Sequence, residues 1–225
     1  MNILNDFKVT MPEQTAGTAP IIAAKVKIPE GSQLGWKTIL HFSDGVQCFM
    51  TVDRKYVPAQ NARSIESSFT AYTGKTFGFF GRPKNTEFTL YAYPSIIAGC
   101  AIGMRLSFTD IEDGVKKTLS TYWEYSLSVT EPRTLVNEAS VAPGGIITTD
   151  SCSSTFRTRG NLSGILEQVI LTKLKTVPFS EIRAHSADMS EEIKQKFIEC
   201  GLFETTGFNL TSFVLGDIRI VDDNF

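Results

Sequence analysis

"MRLSFTDIEDGVKKTLSTYWEYSLSV", residues 104–129, carries the pattern on which the fold turns. Two runs rich in strand formers flank Asp113-Gly114, a dipeptide that accepts positive φ in a tight chain reversal. In the first run Leu106, Phe108 and Asp110 alternate, imperfectly, with Ser107, Thr109 and Ile111, a period of two that favours a strand over a helix. The arrangement predicts a β-hairpin. The same device stands earlier, where "WKTILHFS" (36–43) and "VQCFMTV" (46–52) flank Asp44-Gly45 and predict a second hairpin with a type I′ turn.

Between the two lie "SSFTAYT", "KTFGFFG" and "EFTLYAY", short aromatic runs separated by Gly74 and by Arg82-Pro83. With "IIAAKVKI" (21–28), which ends at Pro29, they predict at least seven strands before residue 130, a density typical of a β-barrel or sandwich. Helical periodicity comes late. Leu162, Ile165, Leu166, Val169, Ile170 and Leu174 follow the i, i+3, i+4, i+7 rule, with Asn161 as the expected cap and Pro178 as the stop. A second helix is expected from about Met189 to Cys200, where Asp188 and Glu191 have capping-box spacing, Ile193 and Phe197 face the core, and Gly201 ends the element. "LTSFVLGDIRIV" then reads as a strand.

The expected fold is therefore mainly β, a β-barrel of OB type or a β-sandwich, with two α-helices inserted before the last strand. At 225 residues it reads as a single domain. Within it, 1–20 form an N-terminal arm, 21–136 a β-rich core and 137–161 a long loop. Residues 162–201 carry the two helices and 208–221 the closing strand.

Composition narrows the function. Hydrophobic residues make up 42% and charged residues 20%, which describes a folded globular chain. The net charge of −2 supplies no global field for nucleic acid or anionic lipid, so any polyanion site must be a local patch. "MNILNDFKVTMPEQ" has no charged segment followed by an apolar run, so no secretory signal is expected. "SIIAGCAIGM" (95–104) is too short to span a bilayer. The expectation is a cytoplasmic protein, in the host cell if viral, without membrane insertion. Cys48, Cys100, Cys152 and Cys200 stand far apart with no CxxC pair, which argues for buried free thiols, no structural zinc and no cofactor.

"GKTFGFFGRPKNTEF" (74–88) is the candidate site. Single-strand nucleic-acid binders need ring faces for bases to stack on and cations that follow the backbone, and stacking contributes about 1–3 kcal/mol per base. Lys75, Phe77, Phe79, Phe80, Arg82 and Lys84 supply both within ten residues. Tyr91, Tyr93, Trp123 and Tyr125, in "YAYP" and "TYWEYS", are secondary ring candidates. Arg157 and Arg159 flank a threonine, so in a strand they would point the same way and grip successive phosphates. Further basic pairs stand at Arg54-Lys55, Lys116-Lys117 and Lys173-Lys175. The competing reading buries the rings as core and leaves the cations on solvated strand edges.

The chain ends "LGDIRIVDDNF". This resembles the acidic, phenylalanine-terminated tips of phage and bacterial single-stranded DNA-binding proteins, and the preceding strand resembles the closing strand of their OB folds. The resemblance implies that Asp222, Asp223 and Phe225 recruit replication proteins. Here "DIRIV" runs almost directly into the tip, without the long acidic tail those families use.

His41 and His185 sit in unrelated contexts, and no G-x-S-x-G, Walker or H-E-x-x-H pattern is present, so no enzyme is expected. The leading expectation is a non-catalytic protein that binds single-stranded DNA or RNA, replication-associated and of phage or viral type, acting as a homo-oligomer. The alternative is a viral or phage structural protein, a capsid, matrix or tube subunit that self-assembles through β surfaces.

Overall fold

The structure, a computed structural model, describes residues 2–52, 55–57, 88–136, 138, 142–200 and 206–221. The protein is mainly β, with helices gathered before the last strand. It forms two compact units: Met1–Ser95 with Glu131–Cys152, and Ile96–Thr130 with Ser153–Phe225. Among the described residues the strands fall into three separate sheets rather than one continuous barrel.

In the first unit β1 (Asn2–Val9) pairs in parallel with β3 (Ser32–Phe42), Asn2 opposite Ser32 and Val9 opposite Phe42. The stretch expected as an arm is thus partly a strand. Its partner lies some thirty positions on, and a parallel pair leaves no local turn signal to read. A five-stranded sheet runs in the order β5 (Lys55–Val57), β4 (Val46–Val52), β6 (Phe88–Pro94), β2 (Ile21–Lys25), β9 (Ile146–Thr148). The two sheets stack. Val9 and Leu40 from the parallel pair join Cys48, Met50, Leu90 and Ala92 in one buried cluster. The alternate positions Phe49, Tyr91 and Tyr93 are buried as well, so the five-stranded sheet is covered on both faces.

This stacking corrects the first expected hairpin. Val46 N–H donates to the Ser43 carbonyl at 3.0 Å and Gly45 has φ +70°, so the chain does reverse at Asp44-Gly45. The flanking strands do not pair with each other, however. β3 goes to the two-stranded sheet and β4 to the five-stranded one. The turn is an arch between layers, because Leu40 buries against Cys48 and Met50 instead of lying beside them in one ladder.

In the second unit β7 (Ile97–Thr109), β8 (Lys116–Val129) and β10 (Phe208–Val221) form an antiparallel sheet with β8 central. The hairpin expected at Asp113-Gly114 is present, with Thr109 opposite Lys116 and Leu106 opposite Leu119. β10 pairs along β8, Phe208 opposite Val129 and Val221 opposite Thr118, with bulges between Leu210 and Ser212 and between Leu215 and Ile218. Three helices follow β9: α1 (Ser153–Leu174), α2 (Phe179–Ala184) and α3 (Ser186–Glu199). The α1 helix starts well before the expected Asn161 cap. Its Ser/Thr/Gly-rich opening reads as loop, and two glycines at Gly160 and Gly164 each cost about 1 kcal/mol relative to alanine. The buried stripe Leu162, Leu166, Val169, Ile170 and Leu174 outweighs that, at about 1.5–3 kcal/mol per buried side chain. The α3 helix buries Met189, Ile193 and Phe197, the last packing its ring 6.1 Å from that of Phe213 on β10. Its N-cap is His185, not Asp188, whose carboxylate lies 3.2 Å from His185 Nδ1.

Candidate functional site

Most of the aromatic-basic segment singled out above, Lys75, Phe77, Phe79, Phe80, Arg82 and Lys84, lies outside the described residues, as do Asp222, Asp223 and Phe225. The remaining candidates have definite places. Tyr91 stacks on Phe49 with ring centroids 5.0 Å apart and planes 14° apart, while Tyr93 and Tyr56 tilt against the same Phe49 ring at 6.1 and 6.2 Å. These rings are spent on each other. Tyr91 and Tyr93 are 6% exposed, and burial pushes the Tyr93 phenol up to about 12, so it stays neutral through the physiological range. Trp123 is 0% exposed and Tyr125 is buried beside it. None of these four offers a ring face to a base. Alternation explains why: on β8 Leu119, Thr121, Trp123, Tyr125 and Leu127 all point into the core.

Arg157 and Arg159 fall in α1 rather than in a strand, and positions two apart do not share a face of a helix. The paired phosphate grip expected of them has no backbone basis. Two other basic pairs each commit one cation to local acids. Lys173 Nζ lies 3.2 Å from Glu192 on α3. Lys117 Nζ donates to Asp110 Oδ2 at 2.7 Å and sits 2.6 Å from Asp113 Oδ2. In that loop Asp110 Oδ1 accepts from Glu112 N–H at 3.1 Å and Asp113 Oδ1 from Val115 N–H at 2.9 Å. The Lys117 hydrogen bond, then the backbone donor, holds each carboxyl below its usual range. Both aspartates are turn builders, as their sequence context suggests.

Among the described residues, the face of β8 opposite the core carries an exposed ring. Tyr122 is 49% exposed and Val214 58%. Around them the register sets cross-strand rows. Arg105, Ser120 and Arg219 form one row, Gly103 and Tyr122 the next, and Ala101, Glu124 and Val214 the third. Arg105, Glu124 and Arg219 are exposed and form no ion pair among the described residues. The Tyr122 ring lies across Gly216 of the β10 bulge: a Cβ built there would come within 2.6 Å of the ring carbons. Glycine is therefore what lets the ring lie down on the neighbouring strand. The result is a low, open sheet face of small residues, with one flat ring between a row of cations and a row holding a carboxylate. Sequence reasoning missed Tyr122 although the signal was present. Ser120, Tyr122, Glu124 and Ser126 form the polar half of a period-two pattern whose other half is apolar.

Other chemistry is sparse. Cys48, Cys100 and Cys152 are buried, and burial raises the Cys48 thiol to about 12, while Cys200 is exposed. The expectation of buried thiols thus fails at Cys200, which follows the last turn of α3 at the helix surface. No group of three or more potential metal ligands occurs among the described residues, and no described helix is long and apolar enough to cross a membrane. No protein-family model matches the chain, and a search of curated proteins also returns no match.

Proposed function

We propose that this chain is a non-catalytic structural subunit that associates with copies of itself through β surfaces. The observation that carries the reading is the open face of the β7–β8–β10 sheet. It combines an exposed ring, an exposed valine and charges of both signs that form no ion pair among the described residues, with glycine, alanine and serine between them. A face of mixed sign is suited to a protein partner, because each charge finds its opposite across a symmetric contact. A net charge of −2 keeps long-range repulsion between copies small. Sedimentation velocity over a concentration series tests the reading. A rising weight-average mass above the 24.8 kDa chain supports it, and an unchanging monomer at every concentration ends it.

A second reading has its own support: binding of single-stranded nucleic acid, through Tyr122 as a stacking platform with Arg105 and Arg219 beside it. The carboxylate of Glu124 in the adjacent row weighs against it. Fluorescence titration with oligothymidine at two salt concentrations decides. Phosphate contacts impose a steep salt dependence, and the absence of any salt-sensitive binding at micromolar protein ends this second reading.

A further inference from the structure

Resting on the self-association reading, we propose that the open face of the β7–β8–β10 sheet is a two-fold interface in which Glu124 of each copy sits between Arg105 and Arg219 of the other. The register dictates the arrangement. Same-face positions along a strand are about 7 Å apart, and neighbouring strands about 5 Å. The row Arg105–Ser120–Arg219 and the row Ala101–Glu124–Val214 lie one such step on either side of the Tyr122 row. A two-fold axis running across the strands at Tyr122 exchanges these two rows. It leaves β8 facing β8, so Glu124 of one copy arrives over Ser120 of the other, with a guanidinium on each side at the neighbouring strand. Each copy supplies one carboxylate and two cations, and both contacts form at once. An axis along the strands would instead lay arginine row on arginine row, so the charge pattern selects the orientation as well as the partner.

Shape agrees with charge. At the axis the two Tyr122 rings meet over the bulge glycine Gly216, and Gly103 on the other side of β8 adds no side chain of its own. The exposed Val214 lies in the glutamate row and so faces the aliphatic stem of the other copy's Arg219. Three adjacent strands of thirteen and fourteen residues give a patch of about 600 Å², near the roughly 800 Å² per partner of a standard interface. Packing of sheet on sheet also accommodates the native twist at an inter-sheet angle of about 30°.

Charge exchange tests this arrangement on exposed positions. In sedimentation equilibrium, Glu124→Arg alone and the double variant Arg105→Glu/Arg219→Glu alone should each weaken dimerisation about thirtyfold or more, since like charges then meet inside a contact. An equimolar mixture of the two variants should restore the dimer, because every glutamate again faces an arginine. Restoration also shows that both variants are folded. Wild-type chain that dimerises while the single-type variants dimerise equally well overturns the interface but leaves self-association standing. Wild-type chain that stays monomeric overturns both. Variants that keep the wild-type mass but lose oligothymidine binding identify the face as a nucleic-acid surface and overturn the proposal.

Discussion

The two larger sheets of this protein use aromatic residues in opposite ways. In the five-stranded sheet, covered on both faces, Phe49, Tyr91 and Tyr93 alternate with Cys48, Met50, Leu90 and Ala92, and neither set meets solvent. In the three-stranded sheet the described residues cover one face and leave the other open, and the aromatic run at 122–125 splits by parity: Trp123 and Tyr125 inward, Tyr122 outward. The difference teaches that an aromatic cluster in a β protein says little about a site until the covering of each face is known. A strand buried on both sides reads as a nearly continuous apolar run, while one buried on a single side keeps a clean alternation.

The comparison breaks most readily through truncation. Phe49→Ala and Trp123→Ala should each destabilise the fold by about 3–5 kcal/mol, whereas Tyr122→Ala should cost less than about 1 kcal/mol. Urea unfolding followed by circular dichroism separates these values, and equal losses at positions 122 and 123 would erase the distinction between the faces. A smaller contrast lies in two glycines. Gly145 has φ +74° and an added Cβ would come within 2.6 Å of Lys25 Cβ, which is anchored close to the backbone. Gly145→Ala should therefore cost about 2 kcal/mol. At Gly216 the obstacle is the movable end of Tyr122. Gly216→Ala should leave thermal stability within about 1 kcal/mol of wild type and change the tyrosine environment seen in near-ultraviolet dichroism.

Acid should act on the β7–β8 loop. Lys117 holds Asp110 and Asp113 below their usual range, so the stability they add is complete at neutral pH and is lost as pH falls through those depressed values. Melting curves of wild type and Lys117→Met should differ at neutrality and converge below about pH 4. Convergence at higher pH, or none, would show that the ion pairs do not govern the loop. The smallest perturbation is a chemical count. Of the four cysteines, Cys200 should react rapidly with a thiol reagent in the native protein, and Cys48, Cys100 and Cys152 only after denaturation. Rapid reaction at Cys48 would mean that the five-stranded sheet opens readily.

What could be read in the sequence was what is local. The hairpin around Asp113-Gly114, the strand 208–221 and the burial of Ile193 and Phe197 on α3 each follow from patterns contained in one short window. The partner of β1 lies beyond any such window. The start of α1 is masked by a composition that favours turns, and Asp44-Gly45 specifies a reversal without specifying that its arms pair. Of the candidate site, cations and rings were visible as residue types, but their use was not. Lys117 is held by two aspartates and Tyr91 by Phe49, and on β8 alone did the alternation of neighbours give ring directions, Tyr122 outward and Trp123 and Tyr125 inward.

The arch at Asp44-Gly45 bears on how the chain reaches its native state. An ordinary hairpin gains ladder hydrogen bonds as soon as its turn closes, within microseconds. At Asp44-Gly45 closure gains no ladder between the two arms, because β3 pairs with β1 and β4 with β5 and β6. The parallel β1–β3 pair must first close a long loop, at an entropic cost no local contact offsets. The 97–129 hairpin faces no such delay, so its ladder should form before the β1–β3 pair, an order that pulse-labelled hydrogen exchange during refolding would read.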